Sequence, residues 1–173
     1  RLVREELDLR MEISAAAEFA ENTKSDRNFY VPKVMWALSG KRVITTEWVD
    51  GISVGDIEKI KNSGVDIGHF AKRIIKTFLT QALRDGFFHG DMHQGNLFVD
   101  SKGNIIPVDF GIMGRLDKNN RKFLAEILYG FIRRDYVKVA EVHFQAGLVP
   151  QNASKDEFAP VSYTHLRAHE TRP

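Results

Sequence analysis

The stretch FFHGDMHQGNLFVDSKGNIIPVDFG, from Phe87 to Gly111, holds most of the side chains in this chain that could do chemistry. Its short apolar runs predict strands, and polar residues stand at the strand ends. Carboxylate and amide oxygens in such places suit hard divalent cations, which keep further positions open for water or phosphate. The polar residues are His89, Asp91, His93, Asn96, Asp100 and Asp109.

The spacing within this stretch matches the catalytic loop of protein kinases. H-G-D occupies positions 89–91, Asn96 follows Asp91 by five residues, and D-F-G at 109–111 begins eighteen residues after Asp91. The pattern H-x-D-x-x-x-x-N followed by D-F-G serves phosphoryl transfer, in which metal ions bridge the phosphates. We therefore expect Asp91 and His89 to be catalytic, and Asn96 and Asp109 to bind Mg²⁺ beside ATP. D-F-G alone would be a weak signal, but the combination is specific.

Other interpretations of these residues stay open at this point. The acids and the asparagine could be solvated turn formers. A zinc site built from His89, His93, Asp91 and Asp109 is chemically conceivable, although the phosphoryl-transfer spacing already explains those residues. The side chain of His93 could orient the loop, contact phosphate, or only satisfy a local hydrogen bond.

The TTEWVDG segment at 45–51 is typical of a kinase hinge. In such a hinge the backbone groups at the positions of Glu47 and Val49 bond the edge of adenine, so we expect Thr46, Glu47, Trp48 and Val49 to form the nucleotide-binding edge. The alternative is an ordinary hairpin exit with a buried tryptophan.

The flanking elements predict one α+β unit without a linker. The run 67–86 has apolar residues at the i, i+3, i+4 spacing of one buried helix face. Gly86 is a natural stop for that helix. The other predicted elements are a helix at 5–22, a hairpin of 29–38 with 41–49, a short helix within 54–64, strands at 96–99 and 105–108, and helices at 118–133 and 136–146.

Composition sets further bounds on the function. The chain has 173 residues, a net charge of +2 and no cysteine. Disulfides and thiolate chemistry are excluded. Because positive and negative charges nearly balance, the net charge does not indicate electrostatic attraction to nucleic acid. No apolar run reaches the length of a membrane span, and no signal peptide is expected.

The segment VSYTHLRAHET back-translates to a DNA string like a transposase adaptor used in sequencing libraries. We therefore expect residues 161–173 to be an artificial tail, with a natural basic tail as the alternative.

Three segments together resemble the UbiB/AarF family of atypical kinases, which is linked to ubiquinone (coenzyme Q) biosynthesis. They are ELDLRME, RVITTEWVDG and HGDMHQGNLFV with the later VDFG, and the resemblance covers roughly residues 4 to 150. It implies a truncated protein-kinase-like α+β fold over residues 1–160, with helix C, a small-lobe hairpin and hinge, and a mostly helical large lobe. It also implies ATP and Mg²⁺ as cofactors.

The same resemblance assigns roles near the N-terminus. Glu6 and Asp8 fit the family's E-x-D regulatory motif, and Glu12 fits the helix-C glutamate that pairs with an upstream lysine. That lysine is not in this chain, so we expect a fragment that is inactive alone. Asp8 and Glu12 are four residues apart, which predicts one shared helix face, with Glu6 pointing elsewhere.

Three functions remain open on this evidence. The first is a UbiB-type kinase or ATPase that supports prenylated quinone synthesis, acting with a lipid-linked precursor or quinone-biosynthesis proteins. The second is a small-molecule phosphotransferase of the aminoglycoside or choline kinase kind, and the third is a nucleotide-sensing scaffold without turnover. Gly90 in place of arginine and the missing A-P-E segment disfavour protein substrates. The resemblance implies membrane association for a full-length protein, on the cytoplasmic face in bacteria or in an organelle in eukaryotes, and a soluble fragment.

Overall fold

A computed structural model describes residues 8–149, which form two compact units that meet in sequence between Arg115 and Leu116. The helices of the first unit are α1 (Arg10–Thr23), α2 (Ile57–Asn62) and α3 (Ile67–Thr80), and α3 continues as a π-helical turn over Gln81–Asp85. Its strands are β1 (Ile52–Ser53), β2 (Phe87–His89), β3 (Leu97–Val99), β4 (Ile105–Pro107) and β5 (Met113–Arg115), with 3₁₀ turns at Trp36–Leu38 and Gln94–Asn96. The second unit holds α4 (Lys118–Arg133) and α5 (Tyr136–Gln145).

Four helices begin at an aspartate whose side chain accepts a hydrogen bond from the N–H three residues later. This cap satisfies a backbone donor that has no partner within the helix. The capping residues of α2 to α5 are Asp56, Asp66, Asp117 and Asp135. The predicted stop at Gly86 is confirmed, because Gly86 adopts the left-handed conformation with φ of 64°.

Two small antiparallel sheets position the polar stretch. The first has the order β1-β3-β4, and the second pairs β2 with β5. The turn between β3 and β4 is closed by Asp100, whose Oδ1 accepts hydrogen bonds from the N–H groups of Lys102 and Asn104 at 2.9 and 2.8 Å. Beyond the paired strands, the Val108 N–H donates to the Asn96 carbonyl at 2.9 Å. The segments that precede β3 and follow β4 therefore lie side by side.

The core of the first unit is organised around Phe19 of α1, which is fully buried. Its ring packs against those of Phe29, Phe87 and Phe110, with centroids 5.7 to 6.0 Å apart. Edge-on and tilted aromatic contacts of this kind each contribute about 0.5–1.5 kcal/mol beyond area burial. Helix α1 is thus anchored to the phenylalanine of the D-F-G segment.

The second unit is a helical hairpin with its own apolar centre. Ile127 of α4 packs with Val139 and Val142 of α5. Gly130 permits the close approach, because a Cβ there would lie 2.6 Å from the Val139 side chain. The predicted ranges of both helices are confirmed to within one residue.

The expectation of one buried face along 67–86 is wrong in part. Phe70 and Ala82 enter the core, but Ile75 is 60% exposed and Ile67 is also exposed. Part of the apolar face of α3 is therefore not covered by the described residues of its unit.

The predicted hairpin forms without regular strands. Its two arms meet through isolated antiparallel bridges, Val34 with Thr46 and Gly40 with Val43. Between these bridges the first arm curls into the 3₁₀ turn, where the Leu38 N–H donates to the Met35 carbonyl at 2.9 Å. Because these backbone groups bond to each other within one arm, they do not pair with the other arm, and the hairpin has no continuous ladder of hydrogen bonds.

Candidate nucleotide and metal site

Asp109 follows β4 and adopts a left-handed backbone conformation with φ of 64°. This conformation is uncommon for a residue with a side chain, although aspartate tolerates it better than most residues. Its Oδ1 accepts a hydrogen bond from the Gly111 N–H at 3.2 Å, and the residue is exposed. The backbone therefore holds the carboxylate at the surface in a fixed orientation, and such outliers are frequent at functional sites.

Asn96 is the last residue of the 3₁₀ turn that leads into β3, and it is buried. Its Nδ2 donates to the Asp91 carbonyl at 3.2 Å. Because the amide nitrogen is used in this bond, the amide oxygen is the atom that can ligate a cation. Since Asn96 also bonds Val108, the amide and the Asp109 carboxylate stand on adjacent backbone segments.

His89 precedes the loop at 90–96 and is only 1% exposed. Its Nδ1 accepts a hydrogen bond from the Asp91 N–H at 3.2 Å, which places the proton of the neutral ring on Nε2, 3.3 Å from the Val108 carbonyl. Both ring nitrogens therefore contact backbone. The geometry gives His89 the means to orient the loop, whereas the Asp91 side chain remains partly open to solvent.

Glu12 of α1 reaches the D-F-G segment directly. Its Oε1 accepts a hydrogen bond from the Phe110 N–H at 3.2 Å. The sequence indicated only a lysine partner for Glu12. Glu12 and Phe110 are 98 positions apart, and no sequence pattern indicates that they are in contact. A single carboxylate thus links α1 to the backbone that carries Asp109.

The expected shared helix face of Asp8 and Glu12 is wrong, because α1 begins at Arg10 and Asp8 precedes it. The Asp8 carboxylate instead binds the Arg10 guanidinium, with contacts of 2.6 and 2.9 Å. This pairing lowers the pKa of Asp8 to about 2. Glu6, the other residue of the predicted regulatory motif, lies outside the described residues.

Sequence reasoning also missed an ion pair behind the site. Arg115 at the end of β5 contacts both carboxylate oxygens of Glu18 in α1, at 2.8 and 2.5 Å. The guanidinium lies over the ring of Phe87, 4.2 Å from its centroid. The pair lowers the pKa of Glu18. It ties α1 to the two-stranded sheet that carries His89.

The hinge segment is open to solvent. Trp48 is 89% exposed, so the alternative of a buried tryptophan is wrong. Thr46 forms a bridge with Val34, and Val49 is half-buried. Thr46 and Trp48 are exposed, whereas Glu47 is half-buried like Val49.

The carboxylate of Glu47 is held by a neighbouring tyrosine. The Tyr30 hydroxyl donates to this carboxylate, which lowers the pKa of Glu47 and raises the pKa of Tyr30 to about 12. The Glu47 N–H donates to the Lys33 carbonyl at 2.8 Å, so the position of this backbone segment is fixed from both sides.

The zinc alternative has no support within residues 8–149. No three histidine, aspartate or glutamate side chains in that range converge as metal ligands. His89 uses both ring nitrogens on backbone groups. A cation held by only two protein oxygens, with phosphate and water completing its shell, is the usual arrangement for Mg²⁺.

A family profile described as the ABC1 atypical kinase-like domain matches residues 1–143. The chain belongs to this family. It is 40% identical to the protein named "Probable protein kinase UbiB" of Histophilus somni over 162 residues, which are 91% of this chain and 30% of that protein. The protein of the same name from Aliivibrio fischeri is 40% identical over 158 residues, which are 89% of this chain and 29% of that protein. The predicted resemblance is confirmed, and the chain spans about 30% of the length of these curated relatives.

A solved structure gives independent support for the fold. The chain superposes on Rv3197 of Mycobacterium tuberculosis, solved as a complex with erythromycin, with a TM-score of 0.61 and 24% identity. The alignment covers 87% of this chain and 38% of that one. The predicted α+β kinase-like fold is confirmed. Within the described residues, no helix combines the length and the hydropathy that crossing a bilayer requires.

Proposed function

We propose that this chain is the core of a UbiB-type atypical kinase or ATPase that binds Mg-ATP and supports ubiquinone biosynthesis. One observation carries the proposal: the Asn96 amide and the Asp109 carboxylate stand on adjacent segments beside the Asp91 loop, each fixed by a backbone hydrogen bond. Membership of a kinase family and relatives named as kinases support ATP as the nucleotide.

The residues present fit Mg²⁺. Asn96 offers an amide oxygen whose nitrogen is already used, and Asp109 offers an exposed carboxylate. When bound there, Mg²⁺ would neutralise phosphate charge. Asp91 would then orient, or take a proton from, the attacking hydroxyl or water. His89 would hold the Asp91 backbone, and Glu12 would hold the D-F-G backbone.

Binding of adenine would involve the exposed hinge edge at 46–49. The carbonyls of Glu47 and Val49 and the N–H of Val49 are the groups suited to the adenine edge, because the Glu47 N–H is bonded to Lys33. The link between Tyr30 and Glu47 would keep this edge in place.

The acceptor we propose is lipid-linked or small, or is water. In ordinary protein kinases an arginine at the position of Gly90 binds the phosphorylated activation loop. A Cβ at Gly90 would lie 3.1 Å from both the carbonyl oxygen and the side chain of Ile112. The close backbone bond from the Gly90 N–H to the Ile112 carbonyl, 2.8 Å long, leaves no room for a larger residue without movement. Quinone-biosynthesis proteins and the membrane would be partners of a full-length protein. Residues 1–160 would be its kinase-like segment, and residues 161–173 would be the artificial tail.

The test compares two aspartates in a full-length protein that contains the segment. Asp109→Asn should abolish Mg²⁺-dependent nucleotide binding in calorimetry, because a metal ligand loses its charge. Asp91→Asn should retain that binding and lose ATP turnover, measured as phosphate release. Asp66→Asn is the matched control, since asparagine caps a helix as well as aspartate does.

Equal nucleotide binding in the Asp91→Asn and Asp109→Asn variants, or wild-type turnover in either of them, would overturn the proposed site. Binding without turnover in the wild-type protein would instead indicate a nucleotide-sensing scaffold. Phosphorylation of a soluble aminoglycoside or choline would indicate the small-molecule phosphotransferase.

A further inference from the structure

His93 lies on the catalytic loop two residues after Asp91 and has no role in the site described so far. Its Nδ1 accepts a hydrogen bond from the Gly95 N–H at 3.0 Å, which caps the 3₁₀ turn over Gln94–Asn96. A neutral imidazole that accepts at Nδ1 carries its proton on Nε2. The N–H of His93 is therefore at Nε2, and this atom lies 3.6 Å from Oδ2 of Asp91.

The imidazole of His93 also lies directly against Gly95. A Cβ on Gly95 would lie 2.8 Å from Cε1 of His93 and 3.0 Å from its Nδ1. Gly95 is not among the glycines with positive φ, so the backbone conformation does not require glycine there. The lack of a side chain at position 95 is needed because the imidazole lies directly against that residue.

We propose that His93 is the residue that positions the Asp91 carboxylate during turnover. When the acceptor binds, the Nε2–H of His93 would close to hydrogen-bonding distance of Oδ2 of Asp91, and the remaining oxygen, Oδ1, would be left to face the acceptor. This proposal rests on the proposed function of the site. His93 acts through Asp91 and needs no contact with the reacting atoms.

The distance of 3.6 Å is longer than a hydrogen bond, which joins heavy atoms at about 2.7–3.2 Å. Hydrogen bonds at catalytic sites are often long in the free enzyme and shorten when the substrate binds. Both side chains are partly exposed, so the closing movement needs no rearrangement of the core. The Asp91 N–H, held by His89, fixes the backbone from which its carboxylate extends.

A set of substitutions separates this role from simple capping of the turn. His93→Asn retains an acceptor for the Gly95 N–H but is too short to reach Asp91. His93→Gln places its amide N–H near the position of Nε2. Gly95→Ala keeps the histidine but displaces its ring.

The experiment measures kcat, KM and the Kd for Mg-ATP of the full-length protein, together with Tm. We expect His93→Asn to keep Tm and the Mg-ATP Kd near wild type while kcat falls about tenfold to a hundredfold, the scale on which misplaced catalytic groups act. His93→Gln should recover part of the lost kcat. Gly95→Ala should lower kcat in the same way as His93→Asn.

Wild-type kcat in His93→Asn would overturn the proposal and leave His93 as a turn cap. Failure of the proposed function has a different signature: Asp91→Asn would then turn over ATP as the wild type does. Loss of kcat in Asp91→Asn combined with full kcat in His93→Asn would contradict the His93 proposal alone.

Discussion

Gly114 in the centre of β5 should not tolerate even a methyl group. It faces Phe88 across the two-stranded sheet, and a Cβ at position 114 would lie 2.5 Å from Cε2 of the Phe88 ring. The ring cannot simply swing away, because it packs edge-on against Phe78 with centroids 5.2 Å apart. Overpacking of this kind costs about 1–3 kcal/mol. The sheet that carries His89 would be strained by the change.

The matched control is Gly40→Ala, because a Cβ at position 40 would meet no atom within 4 Å. There the substitution should be neutral or stabilise by about 0.4–1 kcal/mol through the unfolded chain. For a domain of this size 1 kcal/mol corresponds to about 2–4 °C in Tm, so Gly114→Ala should lower Tm by roughly 2–12 °C. Thermal unfolding followed by circular dichroism measures both variants. Equal Tm values for Gly114→Ala and Gly40→Ala would refute the packing argument.

Two further perturbations test the anchoring of α1. Phe19→Ala should destabilise by about 3–5 kcal/mol in urea unfolding, because a fully buried ring with three aromatic neighbours is lost, whereas Met11→Ala, at a residue on the same helix that is 73% exposed, should leave the unfolding free energy almost unchanged. Similar losses in these two variants would be inconsistent with a core centred on Phe19. Arg115 lowers the pKa of Glu18 from its ordinary 4.5, so the pair stabilises the fold above that pH and this contribution is lost as pH falls through the lowered pKa. Glu18→Gln should therefore flatten the stability profile as pH falls below the ordinary Glu18 pKa of 4.5, and an unchanged slope would count against the pairing.

The helices and the loop residues could be predicted from sequence because their signals are local. The stop at Gly86 and the ranges of α4 and α5 each depend on residues a few positions apart. The H-G-D, Asn96 and D-F-G spacing is equally local, and the structure brings Asn96 and Asp109 to adjacent segments as that spacing requires.

The contacts that sequence reasoning missed are long-range. Glu12 accepts a hydrogen bond from the Phe110 N–H, and Glu18 pairs with Arg115. Each pair is separated by almost a hundred residues, and sequence periodicity does not indicate contacts at that distance. The broken hairpin has a related cause. The β-rich composition of its arms favours strands, but the turn at Trp36–Leu38 takes backbone groups away from the ladder.

The most direct test of the account is thermal unfolding of the full-length protein, without residues 161–173, in the presence and absence of Mg-ATP. Nucleotide at a hundred times its dissociation constant should stabilise the fold by about 2.7 kcal/mol. The account predicts that this shift appears in the wild-type protein and in the Asp66→Asn control, and disappears in Asp109→Asn. No shift in the wild-type protein, or an equal shift in Asp109→Asn, would contradict the claim that Asn96 and Asp109 form a Mg-ATP site.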